Sequence, residues 1–364
     1  MAITRIGNPA IADIREPNFR NIIINGDMSL AQRGTSTASI TGGGYYSCDR
    51  WRFDINSQGT WTQSQSTDVP TGQGFAKSTK LDCTTADASP AAGDLLAFVQ
   101  KVEGQNLQYL KKGTSSAEST TLSFWVKSNK TGTYIAELVD SDNSRQISKS
   151  YTISSANTWE KKTLTYAGDT TGAFANDNAR SLDIVLWLGA GSNYTSGTLS
   201  TSWSSITNAN EAVGQVNLAD STSNEWYVTG IQLEAGTTAS EFEFLPVDVN
   251  LRRCQRYYMR WQGDTSDQRS IANGLCCGTG QVRMIVVYPT TLRTNPTVTE
   301  VGLETLNAVK VATAVSLDAT VDPGINGVNA QINADSGTPY TVGQAVSLRT
   351  STSASAFLAV DAEL

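Results

Sequence analysis

A chain of 364 residues with 17% charged side chains and a net charge of −7 lacks the basic field of a general nucleic-acid binder. No apolar run reaches the roughly 18 residues a membrane span needs, so membrane insertion is not expected either. Histidine is absent, which removes Ser-His-Asp and Cys-His catalysis and every histidine-ligated metal site.

Ser, Thr, Asn and Gly crowd the chain in the manner of an all-β protein with long polar loops. The length suggests two domains, and one large β domain with a small one fits equally well. Cys48, Cys83, Cys254, Cys276 and Cys277 match no zinc spacing and read as small buried thiols. The start, MAITRIGNPAIADI, lacks the apolar core of a signal peptide, and assembly in the cytoplasm is expected.

In chain order, residues 1–20 with Pro9 and Pro17 read as an extended arm for attachment or oligomerisation. Residues 21–34, NIIINGDMSLAQRG, read as an opening strand followed by a turn. In that turn Asp27 caps backbone amides and Gly26 takes a positive φ. Residues 121–128, TLSFWVKS, place Leu122, Phe124 and Val126 on one face and Ser123, Trp125 and Lys127 on the other, the period of a half-buried strand. YIAELVD (134–140) follows Lys130-Thr131-Gly132, and the pair reads as a hairpin. WEKKTLTY (159–166), SLDIVLWLGAG (181–191) and EWYVTGIQLEAG (225–236) add strands, the second apolar on both faces as a central strand is. Strands at this spacing without helical patterns between them indicate a two-sheet sandwich.

A helix is expected over 248–256 after Pro246, capped by Asp248 or Asn250, and YYMRW then turns strand-like. Further strands are expected at 281–289, 296–301, 308–316 and in the terminal AFLAVDAEL. The last of these puts Leu358, Val360 and Ala362 on one face. The domain reading is therefore arm 1–20, sandwich 21–246, helix/strand hinge 247–264 and small β domain 265–364. No fixed-period repeat supports a β-helix.

NIIINGDMSLAQRGTS, then SCDRW, then GIQLEAGTTASEFEFLPVDVNLRRCQRYYMRW and the ending DAEL together resemble bacteriophage virion proteins of the tail-fibre, tail-appendage or head-decoration kind. The resemblance covers nearly the whole chain and is most specific from Gly230 to Tyr258. It implies location in the virion, a homotrimer, and contact with other phage proteins through the N-terminal arm. The first domain also resembles a carbohydrate-binding-module jelly roll. In that fold the Asn-Gly-Asp strand lies beside the last strand, and the pair often flanks a structural calcium. Carried over, the metal positions are Asp27 and Glu234, although Ser29 stands where the family has a further acid.

The expected function is non-catalytic binding of host-surface polysaccharide. Exposed aromatic rings offer flat plates to the C–H faces of sugars, and Trp61, Tyr194, Trp203 and Trp125 are the candidate positions. Trp187 joins Trp125 on the face opposite the core. Trp51 reads as core, with Asp49 and Arg50 stapling its loop. LRRCQRYYMRW (251–261) reads as a joint where arginines pair with carboxylates and tyrosines pack. Two other readings stay open: a capsid decoration protein, and a glycan-degrading enzyme working through paired loop carboxylates such as Asp140, Asp142 and Asp177.

Overall fold

The computed structural model describes residues 19–266, 268–278, 281–307, 312–317, 322–323, 326–334 and 341–364. The expected arm falls outside them except for Phe19 and Arg20, as do residues 308–311 of the strand expected at 308–316. The fold is all-β, a jelly-roll sandwich followed by a smaller β unit. No helix among the described residues is long and apolar enough to cross a membrane.

The sandwich strands are β1 (Ser36–Tyr45), β2 (Arg52–Ser66), β3 (Ser78–Thr85), β4 (Leu95–Glu103), β5 (Thr120–Ser128), β6 (Gly132–Asp140), β7 (Arg145–Ile153), β8 (Glu160–Tyr166), β9 (Arg180–Ala190), β10 (Ser204–Ser205) and β11 (Glu225–Ala235). A short helical turn, α1 (Ser192–Thr195), follows β9. The strand order is β10-β7-β6-β9-β4-β2-β3-β11-β5-β8, with β1 on β2. β2 belongs to both layers. Its Arg52–Asn56 half pairs with β4 and its Thr60–Ser66 half with β3. Ser57 and Gly59, with φ of 54° and 75°, break the ladder between the halves, as bends at sandwich corners do. A Cβ at Gly59 would lie 2.2 Å from Thr85 O.

The two layers close over one core. Leu122, Phe124 and Val126 face it from β5, as their alternation predicts, while Leu182, Ile184, Leu186 and Leu188 face it from β9. Trp51 stacks on Phe98 at 4.8 Å between ring centroids. The hairpin expected between 121–128 and 134–140 does not form: β5 pairs with β11 and β8, β6 with β7 and β9. Their turn crosses from one layer to the other. Both strands point alternate apolar residues at the same core, and alternation alone cannot distinguish side-by-side strands from strands facing across a core.

Residues 21–26 run beside β11 without forming a regular strand. Ile22 N donates to Leu233 O at 2.9 Å and Ile231 N to Gly26 O at 2.9 Å. Asn25, not Gly26, adopts the positive φ, at 57°. Its side chain closes the turn by donating to Leu30 O (2.9 Å) and Asp49 O (3.0 Å) and accepting from Leu30 N (3.0 Å). Gly26 is required by proximity, since a Cβ there would lie 2.0 Å from Ile231 O.

After Pro246, helix α2 (Val247–Gln255) leads to the C-terminal strands. Neither expected cap operates. Asp248 lies in the first turn, and Asn250 accepts from Asn25 N at 3.3 Å. The strands are β12 (Tyr258–Gln262), β13 (Ser270–Gly278), β14 (Gln281–Val287), β15 (Thr297–Val301), β16 (Leu303–Asn307), β17 (Ala312–Leu317), β18 (Asp322–Pro323), β19 (Gly327–Ala334), β20 (Ala345–Thr350) and β21 (Phe357–Asp361). β12, β21 and β15 form one small sheet. A second sheet runs β14-β13-β20-β16-β17-β19 and closes through a β14–β19 ladder. Leu358, Val360 and Ala362 are buried, on the expected face.

Cys48, Cys83, Cys254 and Cys276 are buried as expected, but Cys277 is exposed. Successive strand residues point to opposite sides, so two adjacent cysteines on β13 cannot both face inward.

Candidate functional site: a groove across the front layer

β6, β9, β4 and the first half of β2 lie side by side, and their outward residues align in rows. One row reads Glu137, Val185, Val99, Arg52; a second holds Trp187, Ala97, Asp54; a third Val139, Asp183, Lys101. Together with Gly43, Ile206 and Glu211 at the rim they line a groove of about 510 Å³, within the ~300–1,000 Å³ range of small-ligand sites. The floor is apolar because the 191–216 connection folds back over part of it, burying Ala97, Val99, Ile135, Val185 and Trp187 against Ala212. This explains why β9 is apolar on both faces.

The polar groups are held in place. Trp187 Nε1 donates to Glu137 Oε2 at 2.8 Å. Arg180 Nε donates to Asp183 at 2.7 Å, and Arg52 Nε to Asp54 at 2.5 Å. Lys101 Nζ reaches Leu364 O at 3.1 Å. Burial raises the Glu137 pKa well above the usual carboxylate range, and the neighbouring Glu211 charge pushes the same way. Burial likewise pushes Glu211 up to about 7 and raises Asp183 against the pull of Arg180. The groove is thus a largely covered apolar strip edged by acids whose pKa values burial raises and by charges paired within the protein.

The expected sugar plates scatter. Trp61 is fully buried in the core, its ring edge-on to Phe53 at 5.9 Å and its Nε1 bonded to Gln58 O at 2.7 Å, so it is not a binding residue. A run of small polar neighbours on a strand reflects the outward positions and does not expose the inward one. Tyr194 is half-buried in the connection that covers the floor and packs on Trp187, with centroids 5.4 Å apart, and it does not line the groove. Trp203 lies against the core, its Nε1 donating to Ala167 O at 2.7 Å. Trp125 is half-buried on the outer face of the opposite layer, in a cleft of about 220 Å³ with Lys161, Phe242 and Phe244.

Asp27 and Glu234 do not converge. Asp27 lies opposite Thr229, whose hydroxyl donates to Asp27 O at 3.3 Å, whereas Glu234 sits at the other end of the same pairing. Asp27 Oδ1 accepts from Ser29 Oγ (3.0 Å) and Asn250 Nδ2 (3.4 Å). Glu234 accepts from Ser240 N (2.9 Å), Ser240 Oγ (2.7 Å) and Gln232 Nε2 (2.9 Å). Donors already occupy these oxygens, and calcium wants six to eight oxygen ligands, so the pair does not fit a shared calcium. No cluster of three or more Cys, Asp or Glu suited to a metal occurs among the described residues.

Trp187 is the groove residue visible in the sequence, as an outward tryptophan on an apolar strand. Glu137, Asp183, Arg52 and Lys101 come together only through strand order, which local alternation does not specify.

No family model and no curated protein matches the chain. Solved structures do match, at low similarity. The enzymatically active domain of bacteriophage CBA120 tailspike protein 4 aligns over 60% of this chain and 22% of that one, with 16% identity and a TM-score of 0.31. The chain therefore spans less than a quarter of that tailspike structure. A putative sugar binding protein from Bacteroides thetaiotaomicron VPI-5482 aligns over 59% of this chain and 99% of its own, with 11% identity and a TM-score of 0.32. TmCBM61 in complex with β-1,4-galactotriose aligns over the same two shares, with 10% identity and a TM-score of 0.31. At these TM-scores the likenesses carry no functional argument.

Proposed function

We propose that the chain is a structural subunit of a phage particle that binds host-surface polysaccharide without cleaving it, as part of a tail fibre or appendage. The virion assignment rests on the sequence motifs from Asn21 to Ser36 and from Gly230 to Tyr258. The binding assignment rests on one observation: an open groove in which exposed Ile206 and half-buried Leu95 and Val139 lie beside fixed hydrogen-bonding side chains, with Trp187 buried beneath them. A sugar chain offers alternating C–H faces and hydroxyls to such a surface.

Binding without catalysis is supported by the state of the groove carboxyls. Asp54 and Asp183 are engaged by arginines and Glu137 is 1% exposed, which leaves Glu211 at the rim as the one remaining groove acid. A glycosidase needs two carboxyls free to reach the scissile bond. A homotrimer is part of the proposal; exposed Leu275, Ile285 and Val287 supply an apolar surface on the closed C-terminal sheet. Three linked copies turn weak contacts into firm adhesion.

Adsorption competition tests the reading. Isolated protein should slow phage attachment to host cells, and host polysaccharide should abolish the effect. A protein that neither binds host cells nor competes would point instead to capsid decoration. Release of reducing sugar from that polysaccharide would overturn the non-catalytic assignment.

A further inference from the structure

Another cavity, of about 660 Å³, is lined in part by α2 and shares no residue with the groove. Its apolar wall comes from Phe19, Ile22, Ile24 and the ring of Tyr109, with Phe19 56% and Tyr109 42% exposed. Val249, Arg252 and Arg253 of α2 also line it. The two arginines differ from their neighbour Arg256, which is fully engaged by Glu103. No carboxylate of the described residues lies within ion-pair distance of Arg252 or Arg253. Arg253 makes a single 3.3 Å bond, to Asn21 O.

We propose that this cavity is a binding site for an anionic sugar. Arg252 and Arg253 receive the sugar's anionic group, the exposed rings of Tyr109 and Phe19 take its apolar face, and Asn106, Thr290 and Thr291 at the rim meet its hydroxyls. Two guanidinium groups from one helix suit a carboxylate or phosphate, whose charge-assisted bonds are about twice as strong as neutral ones. Burial lowers the Arg253 pKa, with Glu243 among the groups that pull it back up, and an arriving anion would add a counter-charge beside this partly buried guanidinium. A carboxylated and a phosphorylated sugar share this chemistry.

Calorimetric titration of the full chain with glucuronate, N-acetylneuraminate, glucose 6-phosphate and glucose tests the proposal. At least one anionic sugar should bind about tenfold or more tightly than glucose, and the preferred anion identifies the source. Arg252→Gln and Arg253→Gln should each cost about tenfold for a bond to a charged group. Arg253→Lys should retain part of the affinity, and Tyr109→Ala should weaken all sugars alike. Arg252 is exposed on the helix surface, so its variant reads out binding without a folding defect. Equal affinity for glucose and the anionic sugars, or unchanged binding in the Arg252/Arg253 double variant, overturns the proposal. So does tighter binding of the acidic peptide acetyl-Ile-Asp-Ile-amide than of any sugar. A groove variant such as Val139→Arg should leave these affinities untouched, which separates this site from the groove.

Discussion

Arg256, just past α2, grips Glu103 at the end of β4 through two bonds, Nε at 2.8 Å and Nη2 at 2.7 Å. The Tyr257 hydroxyl adds a third at 2.5 Å, and Arg50 lies over the Tyr257 ring at 3.4 Å while pairing with Glu363. Arg33 takes the other side, bonded to Asp361 at 2.9 Å with its guanidinium 3.6 Å from the Tyr258 ring centre. The arginine–tyrosine run thus fastens the sandwich to the strands that follow. Arg50 reaches Glu363 rather than stapling its own loop to Asp49.

Breaking that junction should cost stability from one side. Glu103 is fully buried, and Arg256→Leu leaves its charge without its main partner, a loss of about 3 kcal/mol. Burial alone would raise the Glu103 pKa, but the bonds from Arg256 and Tyr257 outweigh it and hold the carboxyl below its ordinary value. A depressed carboxyl stabilises the fold above its unfolded pKa and loses that contribution as pH falls through the folded value. Denaturant midpoints should therefore show the Arg256→Leu defect shrinking as pH drops below the ordinary Glu value of 4.5. A defect constant with pH would assign the loss to packing.

The Asn25-Gly26 turn makes a sharper steric prediction. Gly26→Ala forces a Cβ against backbone at 2.0 Å and should destabilise by about 3 kcal/mol, the upper end for overpacking. Gly42→Ala, where an added Cβ meets no heavy atom within 4 Å, should change the melting temperature little. Equal effects at both positions would contradict the close approach of residue 26 to β11.

Much of this architecture is legible in the sequence. Alternation located the strands over 121–128 and 181–191, Pro246 marked the start of α2, and the pairing of residues 21–26 with β11 followed from the resemblance. Lateral order was not legible, because β5 and β6 show the same alternation whether they pair or face each other across the core. Burial of Trp61 is hidden for a related reason: Gly59, Thr60 and Thr62 describe the outward side of a strand whose inward side carries the tryptophan. The cavity arginines sat in plain view in LRRCQR, but only the helix separates Arg252 and Arg253 from the engaged Arg256.

The tryptophans offer a direct contrast. Trp61→Ala should cost about 3–5 kcal/mol as a core truncation. Trp125→Ala, on the outer face, should leave stability within about 1 kcal/mol. Chemical denaturation of the two variants checks both. Comparable losses would mean that Trp125 supports the core after all.

The groove acids should respond to pH in the sense opposite to Glu103. A carboxyl with a raised folded pKa keeps its proton in the fold after the unfolded chain has released it, so stability falls as pH rises from the unfolded toward the folded value. For Glu211 that window runs from 4.5 to about 7, and burial raises Glu137 in the same direction. Glu137→Gln and Glu211→Gln should flatten the decline, gaining melting temperature over the parent at pH 8 and little at pH 4. A parallel shift at both values would rule out titration of these groups.

The most direct test of the account is equilibrium binding of host-surface polysaccharide to the parent protein and to Val139→Arg, followed by calorimetry, with the melting temperature measured alongside. Val139 is half-buried on the groove floor, and an arginine there should fill the channel while leaving the core intact. The account predicts saturable binding by the parent and a loss of about tenfold or more in the variant, since a blocked site forfeits its apolar and hydrogen-bond contacts. Undiminished binding by a stably folded Val139→Arg protein, or no binding by the parent, would contradict it.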